Sequence, residues 1–387
     1  MSGGHDAGVV VAGHLCLDVI CSAPPAGDLS LRPGTLTVVG PATLASGGCV
    51  ANTGGALRRL GVPARLVGKL GADAFGDLLA RRLAGLGEGA VRHLIRAPQE
   101  ATSYSVIMNP DRGDRSILHF PGCNATFRSS DVPDSALAGA AILHFGYPPL
   151  MRAIYEGGGG ELERLLLRAR AAGLITSLDL AYPDPFGEGA DVDWGMLLNR
   201  VLRCAQIFLP SLDELQLMLG TMDRGPASAV ALGRWAVAQG AAIAALKCGD
   251  RGLHLRTGSR DRLREVAAVL PIDLSQWSDR ELWSAAFDVE VAGTTGAGDA
   301  ATAGFLLALL RGFRPEEAAN AACAVAASSV ERPDGTGGVT LWESIEGRIR
   351  AGWGRLPVDL PPDWVRADGG VWSGPSDGSS SKEEAHR

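Results

Sequence analysis

The stretch from Phe287 to Arg311, FDVEVAGTTGAGDAATAGFLLALLR, constrains this chain more than any other. Phe287 to Val291 alternates apolar and acidic residues as a half-buried strand does. Gly293 to Gly298 is a glycine-rich turn, and Ala300 to Leu310 is small and apolar throughout, as a buried helix is. Strand, glycine turn and helix in that order set free backbone N–H groups at a helix N-terminus. Glycine lets that backbone close on a ligand and the helix dipole favours an anion, so phosphate is the natural guest.

Two familiar phosphate loops do not fit. Gly293-x4-Gly298 matches the first six positions of a Walker A loop, but Asp299 and Ala300 stand where that loop needs Lys and Ser or Thr. A carboxylate in place of the lysine would repel phosphate. Gly296-Ala-Gly298-Asp-Ala-Ala301 also fits the relaxed dinucleotide fingerprint, with Glu316 and Glu317 roughly 20 residues on, where a ribose-binding acid is wanted. That acid should close a second strand, whereas Pro315-Glu-Glu has the marks of a helix start. What remains is a phosphate cradle with a carboxylate at its lip. Such a group suits a general base that takes a proton from a hydroxyl as its oxygen attacks a phosphoryl group.

TTGAGDAATAGF closely resembles the C-terminal signature of the ribokinase-like, or PfkB, carbohydrate kinases, whose usual form is DTTGAGDxFxAGF. Further segments carry the same resemblance. Val9 to Asp18, VVVAGHLCLD, is a two-sided apolar strand running into a turn and ending in a carboxylate, as parallel strands with ligands at their carboxyl ends do. In Ser46 to Gly61 a glycine pair followed by a helix ending at Gly61 offers N–H groups and the Asn52 amide to a ligand, and the segment is similar to the family's GGxxxN followed by AxxLxxLG. Val67 to Gly76 fits GxxGxDxxG and frames a hinge. Leu178-Asp179 lies where the family often has an Asp and a following Asn, and the Asn is missing. Leu209 to Glu214 matches the NxxE segment with Ser211 in place of Asn, and Lys247 to Gly252 matches the nucleotide loop TxGxxG with Lys247 in the Thr position.

The resemblance implies an α/β fold, a doubly wound and mainly parallel sheet flanked by helices, with a small β lid. The alternation of strands and helices from Ala141 to Leu246 points the same way. One kinase domain over 1–358 is expected, with lid segments near 29–45 (a strand at Thr35 to Val39) and 101–121 (a hairpin turning at Asn109 to Gly113). Residues 359–387, rich in Pro, Gly, Ser and charge, are expected to be a disordered tail. Residues 257–286, with Trp277 and Trp283, have no assigned role.

The activity implied is transfer of the γ-phosphoryl group of ATP to a hydroxyl of a sugar, nucleoside or related polyol. On that resemblance Asp299 is the base and Gly296, Ala297 and Gly298 form the anion hole. Asp18, Gly47, Gly48 and Asn52 hold the acceptor, and Lys247, Gly249, Gly252, Thr295 and Asn320 hold ATP. Mg²⁺ on the phosphates is implied, with Glu214 near it, because charge neutralisation is most of phosphoryl-transfer catalysis. Many relatives bind a monovalent cation partly through the Asp that opens DTTGAGD. Gly293 stands there, so weak or no K⁺ activation is expected. Cys49 stands where ribokinase itself has Lys, which puts pentose specificity in doubt.

Composition narrows the alternatives. A net charge of -7 with no basic field argues against nucleic acid and anionic membrane as partners. Seven scattered cysteines without a CxxC pair suit reduced thiols in a cytoplasmic protein, and the first apolar run has no Lys or Arg before it, unlike a signal peptide. A homodimer through the β lid is a further expectation. Two rivals stay open: a dinucleotide-dependent oxidoreductase using the same glycine turn, and a catalytically silent sugar-binding protein on the same fold. The second draws on the joint departure of Gly293, Ser211 and Ala301 from the family's Asp, Asn and Phe.

Overall fold

Val9 to Ala12 alternates between two cores: Val9 and Val11 pack on one face of a sheet, Val10 and Ala12 on the other. The period of two is that of a strand covered on both sides, and this strand, β1 (Val9–Gly13), lies deep in the sheet. The computed structural model describes residues 8–22, 34, 36–109, 116–221, 223, 225–332 and 334–378. In chain order the next strands are β2 (Cys16–Ser22), β3 (Ala42–Gly47), β4 (Ala64–Val67), β5 (Lys69–Gly71), β6 (Ile95–Ala97), β7 (Tyr104–Asn109) and β8 (Ser116–Phe120). Then come β9 (Ile142–Gly146), β10 (Ile175–Asp179), β11 (Ile207–Phe208), β12 (Ile243–Lys247), β13 (Leu253–Thr257), β14 (Glu281–Ser284), β15 (Val365–Arg366) and β16 (Val371–Ser373).

Among the described residues ten strands form the main sheet, in the order β15-β16-β14-β13-β12-β11-β10-β9-β1-β4. From β4 to β12 every pairing is parallel; from β12 to β15 every pairing is antiparallel. The expected doubly wound, mainly parallel α/β fold is what forms. Helices cover both faces. On one lie Cys49–Arg59, Ala297–Leu310 and Pro315–Val330; on the other lie the helices that contribute Leu165, Leu198, Leu215 and Ala236. A second sheet, β3-β2-β7-β8, is the lid.

Four expectations need correction. Thr35 lies outside the described residues, Leu36 to Val39 forms no strand, and the lid strand is β3 instead. Asp18 is not the end of β1: the chain turns at His14-Leu15 and Asp18 lies on β2, paired with Ala45 on β3 and Ser105 on β7. Phe287 to Val291 is no strand, because the chain leaves the sheet after β14; Phe287 packs on Trp353 with ring centroids 4.6 Å apart, and Val289 and Val291 line a cleft. Part of the supposed tail is ordered. Val371 to Ser373 adds as β16 to the edge of β14, and Trp364 meets Trp283 edge-on at 6.2 Å. Asp377 accepts from Arg280 Nε at 2.7 Å and from Glu281 N at 2.9 Å. A polar segment can dock this way when an unpaired strand edge takes its backbone hydrogen bonds and a few aromatic anchors take the rest. Residues 379–387 lie outside the described residues, as does the Pro110–Arg115 turn of the expected hairpin, whose strands β7 and β8 do pair antiparallel.

Residues 257–286 also acquire a place. They hold a helix at Arg260–Ala267, a short turn of helix at Leu274–Trp277 and the strand β14, with Trp277 and Trp283 both fully buried.

Candidate active site

Gly296 caps the helix Ala297–Leu310 in the left-handed conformation, φ 76°, where a Cβ would also press on the Gly335 carbonyl. Only glycine takes both conditions without strain. The helix therefore starts at Ala297, three residues earlier than its apolar run suggests, and Asp299 falls in its first turn. The first-turn N–H groups of Gly298 and Asp299 have no helical carbonyl to meet, which makes them donors for an anion. The Ala297 N–H instead reaches Thr294 O at 3.3 Å.

Asp299 is 2% exposed, and its carboxylate is fixed from three directions. Thr53 Oγ1 donates to Oδ1 at 2.7 Å; Asn52 Nδ2 at 3.1 Å and Tyr147 Oη at 2.6 Å donate to Oδ2. Thr53 and Asn52 share the helix Cys49–Arg59, so the segment matched to the acceptor motif delivers its amide to Asp299. Tyr147 follows β9 with φ 69°, a left-handed conformation that a bulky side chain adopts only under constraint. Burial, then the charges of Asp299 and Asp179, push its hydroxyl well above the usual tyrosine range, so it stays a donor.

From Asp299 a connected series of contacts runs under the lid. The Tyr147 ring stacks on His14 at 5.9 Å, His14 Nε2 lies 3.3 Å from His119 Nε2, and His119 Nδ1 lies 3.1 Å from Ser105 Oγ. Asp18 is buried beside Gly47 and accepts from the Cys16 thiol at 3.3 Å; any side chain at Gly47 would collide with its carboxylate. Gly48, at φ 83°, leaves room for the His14 ring, whose Nδ1 a Cβ would approach to 2.7 Å. Burial lowers both histidines, His14 well below its ordinary value and His119 to about 4, so both are neutral near pH 7. His14 Nδ1 is buried without a hydrogen-bond partner. The buried Cys49 thiol faces backbone carbonyls, donating to Gly146 O at 3.2 Å with His14 O at 3.6 Å.

On the other side of Asp299 lies a cleft of about 560 Å³, lined by Lys247, Gly249, Gly252, Ala297, Gly298 and Cys323 among others. Ala326, Ala327 and Val330 continue the Cys323 stripe along Pro315–Val330 at helical spacing. Ala301, the small residue in the family's Phe position, also lines it. Lys247 ends β12 and holds the Asp179 carboxylate with Nζ at 2.7 and 2.8 Å. Burial pushes the Asp179 carboxyl up to about 7 against the pull of Lys247; burial works against the ammonium too, but Asp179, then Glu214, keep it above the ordinary lysine value. Glu214 forms a reciprocal cap with Ser211, Oε2 accepting from Ser211 N at 3.0 Å, so Ser211 in the Asn position starts a helix.

Two of the expected nucleotide residues stand elsewhere. Thr294, not Thr295, lines the cleft. Asn320 does not line it: its Oδ1 accepts from Ser284 Oγ at 2.8 Å and Arg355 Nη2 at 2.7 Å, and its Nδ2 donates to Gly369 O at 3.2 Å. Glu316 and Glu317, considered above as ribose-binding acids, pair with Arg280 and Arg314 at the start of a helix, which removes the dinucleotide reading. Thr53, Tyr147, His14 and His119 were not singled out from the sequence. Thr53 beside Asn52 on one helix was the available signal; nothing local announced the others.

The comparisons agree with this geometry. A model of the pfkB family of carbohydrate kinases matches residues 6–340. An uncharacterised sugar kinase of Archaeoglobus fulgidus is 25% identical over 276 residues, 71% of this chain and 94% of that protein. A ribokinase of Arabidopsis thaliana is 27% identical over 287 residues, 74% of this chain and 67% of that protein. Among solved structures, Arabidopsis thaliana ribokinase complexed with ribose and ATP superposes with a TM-score of 0.69 at 21% identity, covering 88% of this chain and 98% of that one. Ribokinase from Thermotoga maritima gives 0.67 at 20% identity, covering 89% and 99%. With a glycine-capped helix that lines a cleft and carries a buried Asp in its first turn, this chain belongs to the pfkB family of carbohydrate kinases, phosphotransferases with an alcohol group as acceptor.

Proposed function

We propose that this kinase transfers the γ-phosphoryl group of ATP to a hydroxyl of a neutral sugar, nucleoside or related polyol held under the lid. The observation that carries the reading is the Asp299 carboxylate, fixed by Thr53, Asn52 and Tyr147 at the boundary between the lid side and the cleft. Asp299 takes the proton of the attacking hydroxyl, and the first-turn N–H groups at Gly298 and Asp299 receive the charge that builds on the phosphoryl oxygens. Asp18 and the neutral His14 and His119 offer acceptors and donors to the other hydroxyls, while Gly47 and Gly48 keep the backbone close. Lys247, Gly249 and Gly252 hold the nucleotide, with the Cys323 to Val330 face under the base.

Magnesium fits the residues present. Among the described residues no cluster of three or more His, Cys, Asp or Glu forms a metal cage, and an ion carried on nucleotide phosphates needs only one or two carboxylates. Glu214, whose Oε2 alone is engaged in the cap, would hold it indirectly, and the ion would neutralise charge on the phosphate oxygens. Gly293 supplies no side-chain ligand to a monovalent cation, which supports a weak K⁺ response. The exposed Leu44, Ile117, Leu118 and Phe120 on the lid support a homodimer through that face. All seven cysteines are free and buried, which suits a reducing cytoplasm. Among the described residues no helix is long and apolar enough to cross a membrane.

The test is a screen of neutral sugars, nucleosides and polyols with Mg-ATP, scored by ADP release and by mass of the phosphorylated product. At least one acceptor should give saturable turnover. ADP release that is the same with and without every acceptor would leave a nucleotide-binding protein on this fold.

A further inference from the structure

Lys247 replaces a neutral residue of the family's nucleotide loop with a charge, and the fold surrounds that charge in a particular way. Its side chain is 12% exposed, and its ammonium bonds both oxygens of Asp179 at the end of β10. Asp179 is held in turn by Leu180 N at 2.8 Å and Thr302 Oγ1 at 3.2 Å, the latter from the Ala297–Leu310 helix. The ammonium also lies against the first turn of that helix: a side chain at Gly298 would come within 3.4 Å of Nζ. A lysine beside the positive end of a helix repels it unless an anion sits between them. At rest Asp179 compensates the lysine, and the Asp299 carboxylate lies in the helix's first turn. Thr53, Asn52 and Tyr147 occupy that carboxylate, however, and the Gly298 and Asp299 N–H groups keep no acceptor among the described residues. The two positive groups converge on one place in the cleft, where the terminal phosphate of a nucleotide would satisfy both.

We propose that Lys247 is a catalytic residue that donates to the γ-phosphoryl group during transfer, with Asp179 as the positioning residue that keeps the ammonium aimed at the helix N-terminus. This rests on the kinase reading above and goes beyond nucleotide binding in general. In the step, the acceptor oxygen forms a bond to Pγ and gives its proton to Asp299, and the bond between Pγ and the bridging oxygen breaks. The electron pair of that bond leaves on the β-phosphate of ADP. Lys247 keeps its proton throughout and donates a hydrogen bond to a non-bridging oxygen. Asp179, then Glu214, hold the ammonium protonated. The built-in cation also gives a physical reason for the chain to tolerate Gly293, since a fixed charge at the phosphate replaces one recruited from solution.

Three variants decide it: Lys247→Met, Asp179→Asn and the double variant. Lys247→Met leaves a buried carboxyl without its partner and can fail to fold, whereas the double variant removes both charges together and keeps the packing. The double variant should melt close to the parent while kcat falls about 10²- to 10³-fold, the cost of removing one preorganised donor. Its affinity for ADP should stay within about twofold, whereas affinity for the non-hydrolysable β,γ-imido analogue of ATP should drop about tenfold, as a lost charge-assisted contact to the γ-phosphate requires. Asp179→Asn alone should lower kcat about tenfold with analogue affinity retained, a split that a merely structural carboxylate would not produce. Double-variant turnover within about threefold of the parent, or equal loss of ADP and analogue binding, would overturn the proposal. A parent protein that releases no ADP with any acceptor would defeat the kinase reading instead. The comparison of ADP with the analogue would then still decide the role of Lys247.

Discussion

The two ends of the main sheet are built on different plans. From β4 to β12 the strands run parallel, so their carboxyl ends meet on one edge and bring Gly146, Asp179 and Lys247 to the same place from points far apart in the chain. From β13 to β15 they run antiparallel, and the last two come from a polar segment beyond residue 340, where the family match stops. In the parallel half polar side chains converge on the buried carboxylates Asp179 and Asp299, to which the proposed function gives the chemistry. In the antiparallel half they pin a late strand: Arg234 grips the fully buried Glu281 with bonds of 2.8 and 3.0 Å, and Arg280 grips Asp377. On the proposed function one half serves reactivity and the other closes the sheet, and each can be broken separately.

The sharpest break is Asp299→Asn. It keeps the size of the side chain and an acceptor for Thr53 or Tyr147 but cannot take the hydroxyl proton, so kcat should fall about 10²- to 10⁴-fold. ATP affinity should hold, because N–H groups and a lysine bind the phosphates. Melting temperature, ATP binding and ADP release on one sample check this. Preserved turnover per folded molecule would make Asp299 a first-turn cap and no more.

The opposite break is to end the chain at residue 358. This removes Trp364, Val371 and Trp372 and uncovers the β14 edge, leaving the Glu281 backbone carbonyl without its bond from Gly374. At about 1.5–3 kcal/mol for each fully buried side chain, less the cost of ordering the segment, the loss is roughly 4 kcal/mol, a fall in Tm of about 5 °C for a chain of this length. Activity per folded molecule at low temperature should survive. An unchanged Tm would show that the segment only rests on the sheet.

Low pH tests both halves together. Burial lowers His144 and His254 to about 3 and His119 to about 4, with His14 also well below its ordinary value. The unfolded chain binds protons at these histidines near pH 6.5 and the native chain does not, so stability is intact above that pH and falls as pH drops toward the folded values. Asp179, raised to about 7, works the other way, since the native chain takes its proton first. The four histidines outnumber it, and the net loss between pH 6.5 and 5 should be roughly 5 kcal/mol. Urea unfolding at the two pH values measures it; equal or greater stability at pH 5 would contradict the buried, neutral assignment.

How much was legible follows from what each region is made of. The helix start expected at Pro315 is where Pro315–Val330 begins, because Pro at a first turn is a local signal, and Ser211 with Glu214 is a signal of the same local kind at the start of Leu212–Leu219. Asp299 was legible because glycine and a carboxylate at fixed spacing carry the chemistry within one short segment. The pairing of Lys247 with Asp179 spans 68 residues and depends on parallel topology, which no local pattern encodes. Tyr147 was hidden because its role comes from a constrained backbone conformation after β9. The segment after 359 was misread because composition measures average polarity, whereas docking at a strand edge needs only a few anchors.

Asn320 sits at the seam and gives the smallest but most discriminating effect. It lies one turn before Cys323 on the helix that lines the cleft, and the family resemblance implied an ATP contact there. Its amide, however, is committed to Ser284 at the end of β14, to Arg355 and to Gly369. Arg355 in turn lies 3.4 Å over the Phe287 ring, so Asn320 reaches the cleft only through a neighbour. Asn320→Ala removes two acceptor bonds and one donor bond, but Arg355 keeps Ala285 O at 2.6 Å and Gly369 O at 2.9 Å. The stability loss should therefore be about 1–2 kcal/mol, with the KM for ATP within about twofold of the parent. A residue serving the reactive half would behave the other way, raising KM about tenfold with Tm unchanged, as loss of a direct hydrogen bond to a buried base does. Measuring Tm and the KM for ATP on the same variant assigns Asn320 to one half of the molecule. A large rise in KM would move the boundary between the two halves to include it in the site.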